Sequence, residues 1–263
     1  MKNQWKSLLL LVSALCIVLV YALCSKDIQL DLRLKKADIA KAFEPRPADS
    51  LSAEAGFAAS AKAREDSIRA AREHPDTTRQ RILFFGDSML EGLTRRLVDY
   101  TEHNGHELHT VVWYSSTSQI WAQTDTLQHF MREVDPTYVI VCLCANELFV
   151  KDLDQRDQYV KTILKRIGNI PYVWVSPPNW KEDTGINDVI IRNVGRDRYF
   201  DSRHLNLDRG KDHAHPTFSA AAVWADTIAS WLRSPNTEHP IRMDVPTEKA
   251  KNKHITLLMP YNP

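Results

Sequence analysis

The stretch RILFFGDSML, residues 81–90, combines a hydrophobic run, a turn and the start of a helical pattern. Its apolar residues are of the kind found in a strand that is buried on both faces of a parallel sheet. Gly86 breaks the run, and Ser88 falls where a helix would begin. Serine is a favoured helix N-cap, but a helix N-terminus also offers unpaired N–H groups that suit a reactive oxygen. Taken alone, the stretch leaves both interpretations of Ser88 open.

Downstream of this stretch, short β-rich runs alternate with helical patterns, which favours parallel strands joined by helical crossovers. The sequence therefore predicts a three-layer α/β/α sandwich with a five-stranded parallel sheet. The predicted strands are Arg81–Phe85, Leu108–Trp113, Tyr138–Leu143, Tyr172–Val175 and Arg198–Asp201. The predicted helices are Leu90–Tyr100, Ser118–Glu133, Gln155–Ile167 and Ser219–Leu232, with another helix within TGINDVIIRNVG, residues 184–195.

Several polar residues follow the predicted strands directly. In open parallel sheets the carboxyl ends of the strands meet along one edge, and sites lie beyond that edge. Ser88, Ser118, Asn146 and the segment after Asp201 all occupy such positions. We therefore expect them to converge.

The segment GKDHAHPTFSA, residues 210–220, holds a carboxylate close to an imidazole. On a tight turn Asp212 can reach His215, fix its tautomer and stabilise its protonated form. The other ring nitrogen can then accept a proton from a serine hydroxyl. The sequence thus predicts a Ser-His-Asp unit of Ser88, His215 and Asp212. We predict that His213 is a surface or supporting histidine.

Two residues that lie between Ser88 and Asp212 in the sequence are candidate donors to a developing oxyanion. Asn146, in VIVCLCANELF, follows a hydrophobic strand, and its side-chain amide can donate a hydrogen bond at the sheet edge. Ser118, in WYSSTSQIW, begins a predicted helix, so its backbone N–H points toward the same edge. For each of them, a simple capping role is the alternative.

Together these residues resemble the SGNH, or GDSL-type, hydrolases. The resemblance covers residues 80–233 and rests on three blocks. These are Gly86-Asp87-Ser88, Ala145-Asn146-Glu147 and Asp212-His213-Ala214-His215-Pro216.

By that resemblance, Ser88 would be the nucleophile, His215 the general base and Asp212 its orienting partner. The oxyanion hole would consist of the Ser88 amide, the Ser118 amide and the Asn146 side chain. The resemblance also implies a flavodoxin-like sandwich and no metal or organic cofactor.

Two positions depart from the family pattern, because Ser118 and Cys144 stand where relatives have glycine. Serine keeps the backbone N–H but lacks the access of glycine to positive φ, so the hole requires an ordinary conformation there. We interpret Cys144 as a packing residue. With Cys142 it is predicted to lie on one face of a strand, in the core, without a disulfide or a zinc site.

The N-terminus begins MKNQWK and continues with SLLLLVSALCIVLVYALC, eighteen residues without a charge. That length is enough to span a bilayer core, so a retained transmembrane anchor is predicted. The lysines before it favour a cytoplasmic N-terminus and an extracytoplasmic, periplasmic domain. A cleaved signal peptide is the main alternative. A lipoprotein site at Cys24 or Cys16 is another.

The predicted organisation has four parts: a signal anchor at 1–24, a partly helical stalk or linker at 25–80, a hydrolase domain at 81–233 and a C-terminal extension at 234–263. The run Ile255–Met259 of the extension could add an edge strand. The chain has 34 basic and 33 acidic residues, so its charge indicates no nucleic-acid partner.

The leading hypothesis is an extracytoplasmic serine esterase that removes an acyl group from a carbohydrate or another envelope ester. We expect this acyl group to be acetyl. One alternative is an O-acetyltransferase that acts on an envelope polysaccharide and works with a membrane-bound acyl donor protein. The other is a catalytically inactive, anchored binding or assembly protein. Two aromatic segments, Trp113-Tyr114 and Trp174 to Trp180, are candidate platforms for a sugar ring.

Overall fold

The hydrophobic run RILFFG, residues 81–86, forms a central strand of the sheet. A computed structural model describes residues 62, 66–68, 70, 72–251 and 253–260, and in it β1 spans Arg81–Gly86. Residues 82–85 of β1 have no exposed surface. A strand with helices over both faces needs a continuous apolar run, which explains why hydrophobic and polar residues do not alternate here.

Five further strands complete the sheet. They are β2 (Glu107–Trp113), β3 (Tyr138–Cys142), β4 (Tyr172–Val175), β5 (Tyr199–Phe200) and β6 (His254–Leu258). All neighbours pair in parallel, in the order β5-β4-β3-β1-β2-β6. The first five strands follow the 2-1-3-4-5 order of flavodoxin-like sheets. The prediction of five strands is wrong, because the run near the C-terminus adds β6 beside β2.

Helices cover both faces of the sheet. They are α1 (Leu90–His103), α2 (Ser118–Gln123), α3 (Thr126–Val134), α4 (Leu153–Ile167), α5 (Ile186–Val194) and α6 (Phe218–Leu232). Side chains of α1 and α6 form a core with one face, and those of α2 to α5 form a core with the other. The structure is therefore an α/β fold with a six-stranded parallel sheet between two helical layers.

The predicted helix Ser118–Glu133 is two helices in the structure. Thr124 is extended, with φ −103° and ψ 163°, and ends α2. Its hydroxyl donates to the Ile120 carbonyl oxygen at 2.9 Å and lies 3.1 Å from the Thr126 hydroxyl. Threonine side chains that bond to nearby backbone groups compete with helix continuation, which accounts for the break.

The chain enters β1 at the amino-terminal edge of the sheet. Asp76 donates its amide to the Pro240 carbonyl oxygen at 2.8 Å and accepts the Arg242 amide at 2.9 Å. Tyr138, the first residue of β3, donates its hydroxyl to the His239 carbonyl oxygen at 3.0 Å. The segments before β1 and after α6 therefore meet at the edge opposite the one where the strands end.

The predicted anchor, residues 1–24, and most of the predicted stalk lie outside the described residues. Within the described ranges, no helix is long and apolar enough to cross a bilayer. All the elements named above belong to the compact unit Glu65–Pro263.

Candidate active site

Gly86 fixes the turn that carries Ser88. A Cβ atom added to Gly86 would lie 1.7 Å from the Cys142 carbonyl oxygen, so any side chain would collide with β3. The chain leaves the sheet directly afterwards and places Ser88, half-buried, at the carboxyl edge. The N-cap of α1 is Met89, and no side chain caps this helix. Ser88 is therefore close to a helix start, but its hydroxyl is not used as a cap.

The Ser88 hydroxyl faces the imidazole of His215. Ser88 Oγ and His215 Nε2 are 2.8 Å apart, and His215 Nδ1 and Asp212 Oδ2 are 2.6 Å apart. A proton on Nδ1 would be donated to the carboxylate, which leaves Nε2 free to accept the proton of the serine. The structure thus brings the three predicted residues into one hydrogen-bonded chain.

Asp212 is held ionised by its surroundings. Its Oδ1 accepts the amides of Ala214 and His215, both at 3.0 Å. The Ala214 amide and the His215 imidazole are the main causes that lower the pKa of Asp212 to about 2. The carboxylate therefore stays charged at neutral pH. His213 is exposed and, at φ 59°, takes no part in this chain of contacts.

The loop that carries Asp212 and His215 is held by Arg209. One guanidinium nitrogen donates to the Ala214 carbonyl oxygen at 2.8 Å. The other donates to the carbonyl oxygens of Pro178 and Asn179, both at 3.2 Å, in the loop after β4. Sequence reasoning missed this residue, because no local pattern shows that a lone arginine will bind carbonyl groups of two separate loops.

Asn146 lies in a short 3₁₀ turn after β3 and is exposed. Its Nδ2 donates to the Ser116 carbonyl oxygen at 2.9 Å. Ser116 Oγ in turn lies 3.4 Å from the Gly86 carbonyl oxygen, which places this loop beside the nucleophile turn. An amide nitrogen carries two hydrogens, so the contact orients Asn146 and leaves one hydrogen for a ligand.

The structure does not leave the Ser118 amide available. Ser118 is fully buried, and its amide and its hydroxyl each donate to a carboxylate oxygen of Glu147 at 2.7 Å. Glu147 also pairs with Arg156, whose Nε is 3.3 Å from Oε1. Ser118 therefore joins α2 to the Asn146 turn and is not placed to donate to an oxyanion.

Ser115 has a backbone conformation that suits the glycine which relatives have in this block. It lies in the turn after β2, is exposed and has φ 59°, a left-handed conformation that favours glycine. Within the described part of the chain, neither the Ser115 amide nor the Ser88 amide donates a hydrogen bond. The sequence does not show that a serine will have a positive φ, so Ser115 was missed as a candidate amide donor.

Asp87 ties the nucleophile turn to the Asn146 turn. Its Oδ1 accepts the Met89 amide at 3.1 Å, and its Oδ2 accepts the Ala145 amide at 2.9 Å. Asp87 has no exposed surface. Burial raises its pKa to about 7, and nearby Glu147 adds to the rise, although the two amides lower it.

Cys144 is not a candidate nucleophile. It is fully buried, and burial, followed by the charge of Glu147, raises the pKa of its thiol well above the ordinary value. Both Cys142 and Cys144 are free core residues. The prediction that they share a face is wrong, because β3 ends at Cys142 and Cys144 has φ 85°, which sends its side chain into the other core.

Most of the predicted aromatic platform is buried. Trp113 and Trp174 belong to the core, while Tyr114 is half-buried and donates its hydroxyl to Glu91 at 3.0 Å. Trp180 is half-buried and meets the exposed Phe149 edge to face, with ring centroids 6.2 Å apart. Of the predicted residues, Tyr114 and Trp180 are thus the two aromatic residues that are partly exposed after the strand ends.

Within the described residues, no group of three or more histidine, cysteine or acidic side chains is arranged to hold a metal ion.

No protein-family model matches the chain, and no curated protein matches it.

Among solved structures, the chain is similar to a gut microbial diltiazem-metabolizing enzyme, with 14% sequence identity and a TM-score of 0.42. The similarity covers 59% of this chain and 48% of that enzyme, so the chain spans about half the length of this relative.

Proposed function

We propose that the chain is a serine esterase of the SGNH type, which removes an acyl group through an acyl-serine intermediate. The observation that carries the proposal is the contact chain from Ser88 Oγ to His215 Nε2 at 2.8 Å and from His215 Nδ1 to Asp212 Oδ2 at 2.6 Å. Ser88 meets His215, 127 positions further along the chain, and His215 meets Asp212, in the order that acyl transfer requires. The same residues carry the sequence resemblance.

In the proposed reaction, Ser88 Oγ attacks the ester carbonyl while His215 Nε2 takes the hydroxyl proton. Asp212 remains ionised and stabilises the imidazolium, which then donates its proton to the leaving alcohol. Water, activated by His215, releases the acid from the acyl-serine and regenerates Ser88.

The proposed oxyanion donors are the amides of Ser88 and Ser115 and the second hydrogen of Asn146 Nδ2. The two amides have no acceptor among the described residues. Asn146 is held in place by Ser116, so its remaining hydrogen is oriented before substrate arrives. Ser115 takes the part that the resemblance had implied for Ser118.

The exposure of the site favours hydrolysis over transfer. The side chains of His215 and Asp212 are 42% and 53% exposed, so water reaches the general base directly. An acyltransferase has to keep water from its acyl-enzyme, which a closed site does more readily. An open site also admits an acyl group displayed on a polymer. We therefore propose an acetyl ester of a carbohydrate or envelope polymer as substrate.

We further propose that the protein works outside the cytoplasm and is held to the membrane by residues 1–24. The support is the uncharged run of eighteen residues, preceded by Lys2 and Lys6. No cofactor takes part in the proposed reaction.

A fluorophosphonate probe tests the proposal directly. Wild-type protein should be labelled on Ser88, and Ser88→Ala should lose both labelling and turnover of p-nitrophenyl acetate. Asp212→Asn should keep the fold and lose about 10⁴-fold in kcat, because the histidine tautomer is no longer fixed. An unlabelled wild-type protein would support the inactive binding protein instead.

A further inference from the structure

A cavity opens beyond the carboxyl ends of β4 and β5. Its volume is about 510 Å³, enough for more than one sugar ring. The lining includes Asn179, Trp180, Asp183, Asp188, Arg203 and His204. None of these residues takes part in the proposed acyl transfer.

The cavity is joined to the proposed catalytic loop. Arg209 binds the carbonyl oxygen of Asn179, in the cavity wall, and the carbonyl oxygen of Ala214, next to His215. Phe149, which follows the Asn146 turn, packs edge to face against Trp180. The cavity and the proposed catalytic residues therefore lie at the same edge of the sheet and are linked by these contacts.

The polar floor of the cavity is fixed before any ligand arrives. Asp183 accepts hydrogen bonds from the side chains of Asn179 and Asn187, both at 2.8 Å, and from the Gly185 amide at 2.8 Å. Arg203 pairs with Asp201 at 2.7 Å and lies 3.6 Å from Asp188. Preorganised groups of this kind lower the cost of ordering a ligand.

The lining also limits the charge of the ligand. Its ionised groups are two cations, Lys181 and Arg203, and three carboxylates, Glu182, Asp183 and Asp188. A site with this balance does not attract an anion, whereas its donors and acceptors can both bind hydroxyl groups. Trp180 adds an aromatic ring to the lining. The negative potential of an aromatic face suits the C–H face of a pyranose ring.

We propose that this cavity binds a neutral sugar unit of the polymer whose acyl group Ser88 removes. The proposal rests on the proposed esterase function and adds the class of substrate. Trp180 provides the stacking face, and the polar floor around Asp183 and Arg203 receives the hydroxyl groups.

The test is equilibrium binding to full-length Ser88→Ala protein, which cannot turn substrate over. Neutral tetrasaccharides built on glucose, xylose, mannose and N-acetylglucosamine are titrated, with tetragalacturonate as an anion of equal length. At least one neutral tetrasaccharide should bind, and more tightly than tetragalacturonate. Trp180→Ala should weaken that binding by about tenfold, the loss expected for one stacked ring.

Trp231→Ala is the matched control, because Trp231 is also half-buried but packs on Phe200 and does not line the cavity. It should leave sugar binding unchanged. His204→Ala, an exposed substitution at the cavity rim, should weaken binding without a loss of stability. In active protein, Trp180→Ala should lower kcat/KM for an acetylated tetrasaccharide about tenfold more than for p-nitrophenyl acetate.

Absence of binding by every neutral tetrasaccharide, tighter binding of tetragalacturonate, or an equal loss in Trp231→Ala would overturn the inference. These outcomes are independent of fluorophosphonate labelling. A labelled wild-type protein that binds no sugar remains an esterase without this subsite, and an unlabelled protein that binds sugar retains the subsite without the esterase.

Discussion

Two residues in the turns that follow β2 and β3 hold a backbone conformation that costs them free energy. Ser115 and Cys144 have φ of 59° and 85°, and a left-handed conformation costs a residue with a side chain about 1–2 kcal/mol. Both follow strands at the edge where Ser88 lies. Such strain is retained where the surrounding structure requires a particular direction of the chain.

We expect Ser115→Gly to raise the free energy of unfolding by up to about 1 kcal/mol, because glycine adopts this φ without a steric cost. Ser115 is exposed, so no packing is lost. Urea denaturation provides the measurement. Esterase turnover should persist, because the amide remains.

The control for this substitution is Ser230→Gly, at an exposed position inside α6. The same change should there lower the stability by about 0.5 kcal/mol, since glycine is the poorer helix former. Equal effects of the two substitutions would mean that the conformation of Ser115 carries no strain.

The side chain of Asn146 should stabilise the transition state and contribute little to substrate binding. Asn146→Ala is expected to lower kcat by about 10²–10³-fold with little change in KM, because the lost hydrogen bond forms fully only to the oxyanion. Steady-state kinetics with p-nitrophenyl acetate measure kcat and KM separately. Asn236→Ala, an exposed asparagine after α6, is the control and should leave both constants unchanged. A rise in KM alone would assign Asn146 to substrate binding.

At the scale of elements, hydrophobic runs predicted the strands well. Tyr172–Val175 agrees at both ends, and β1 and β2 agree to within one residue at each end. The run Ile255–Met259 was predicted as a possible edge strand outside the five-stranded sheet, and it forms the edge strand β6, one residue earlier at each end. Its side chains are mostly exposed, and no helix precedes it directly. The break between α2 and α3 depends on where threonine hydroxyls bond, which periodicity does not show.

The site was predictable to the extent that it rests on short blocks. Ser88, Asn146, Asp212 and His215 stand in motifs, and the structure places all four at one edge of the sheet. The contact of Ser118 with Glu147 and the role of Arg209 depend on side chains that approach from separate loops. No spacing within the sequence encodes such contacts.

The packing of α1 against α6 depends on one glycine. A Cβ atom at Gly92 would lie 2.7 Å from the Cβ of Ala221, so the two helices approach too closely for a methyl group. We expect Gly92→Ala to lower the free energy of unfolding by about 1–3 kcal/mol, despite the better helix propensity of alanine.

Ala221→Gly supplies the matched partner for this test. The double variant Gly92→Ala/Ala221→Gly moves the methyl group from one helix to the other and should recover most of the lost stability. Thermal or urea denaturation of the four proteins completes the cycle. Additive losses would show that the two positions do not share one contact.

For the whole molecule, the buried Asp87 should make stability depend on pH. Its pKa rises from 3.8 to about 7 on folding, so between those values the folded state holds a proton that the unfolded chain has lost. Stability must then fall as pH rises through this window, by up to about 4 kcal/mol for this group, and stay level above it.

Urea unfolding of wild type and Asp87→Asn at several pH values between 4 and 8 isolates this contribution. The difference in unfolding free energy between the two proteins should change in favour of the variant as pH rises to 7. A difference that does not vary with pH would mean that Asp87 is already ionised in the folded protein at pH 4.

The chain enters the sheet beside Asp76, and the length of β1 sets the distance from this point to Ser88. β1 rises about 3.3 Å per residue, so its six residues separate the entry point from the turn of Ser88 by about 20 Å. The chain thus enters at one edge of the sheet and presents the proposed nucleophile at the opposite edge.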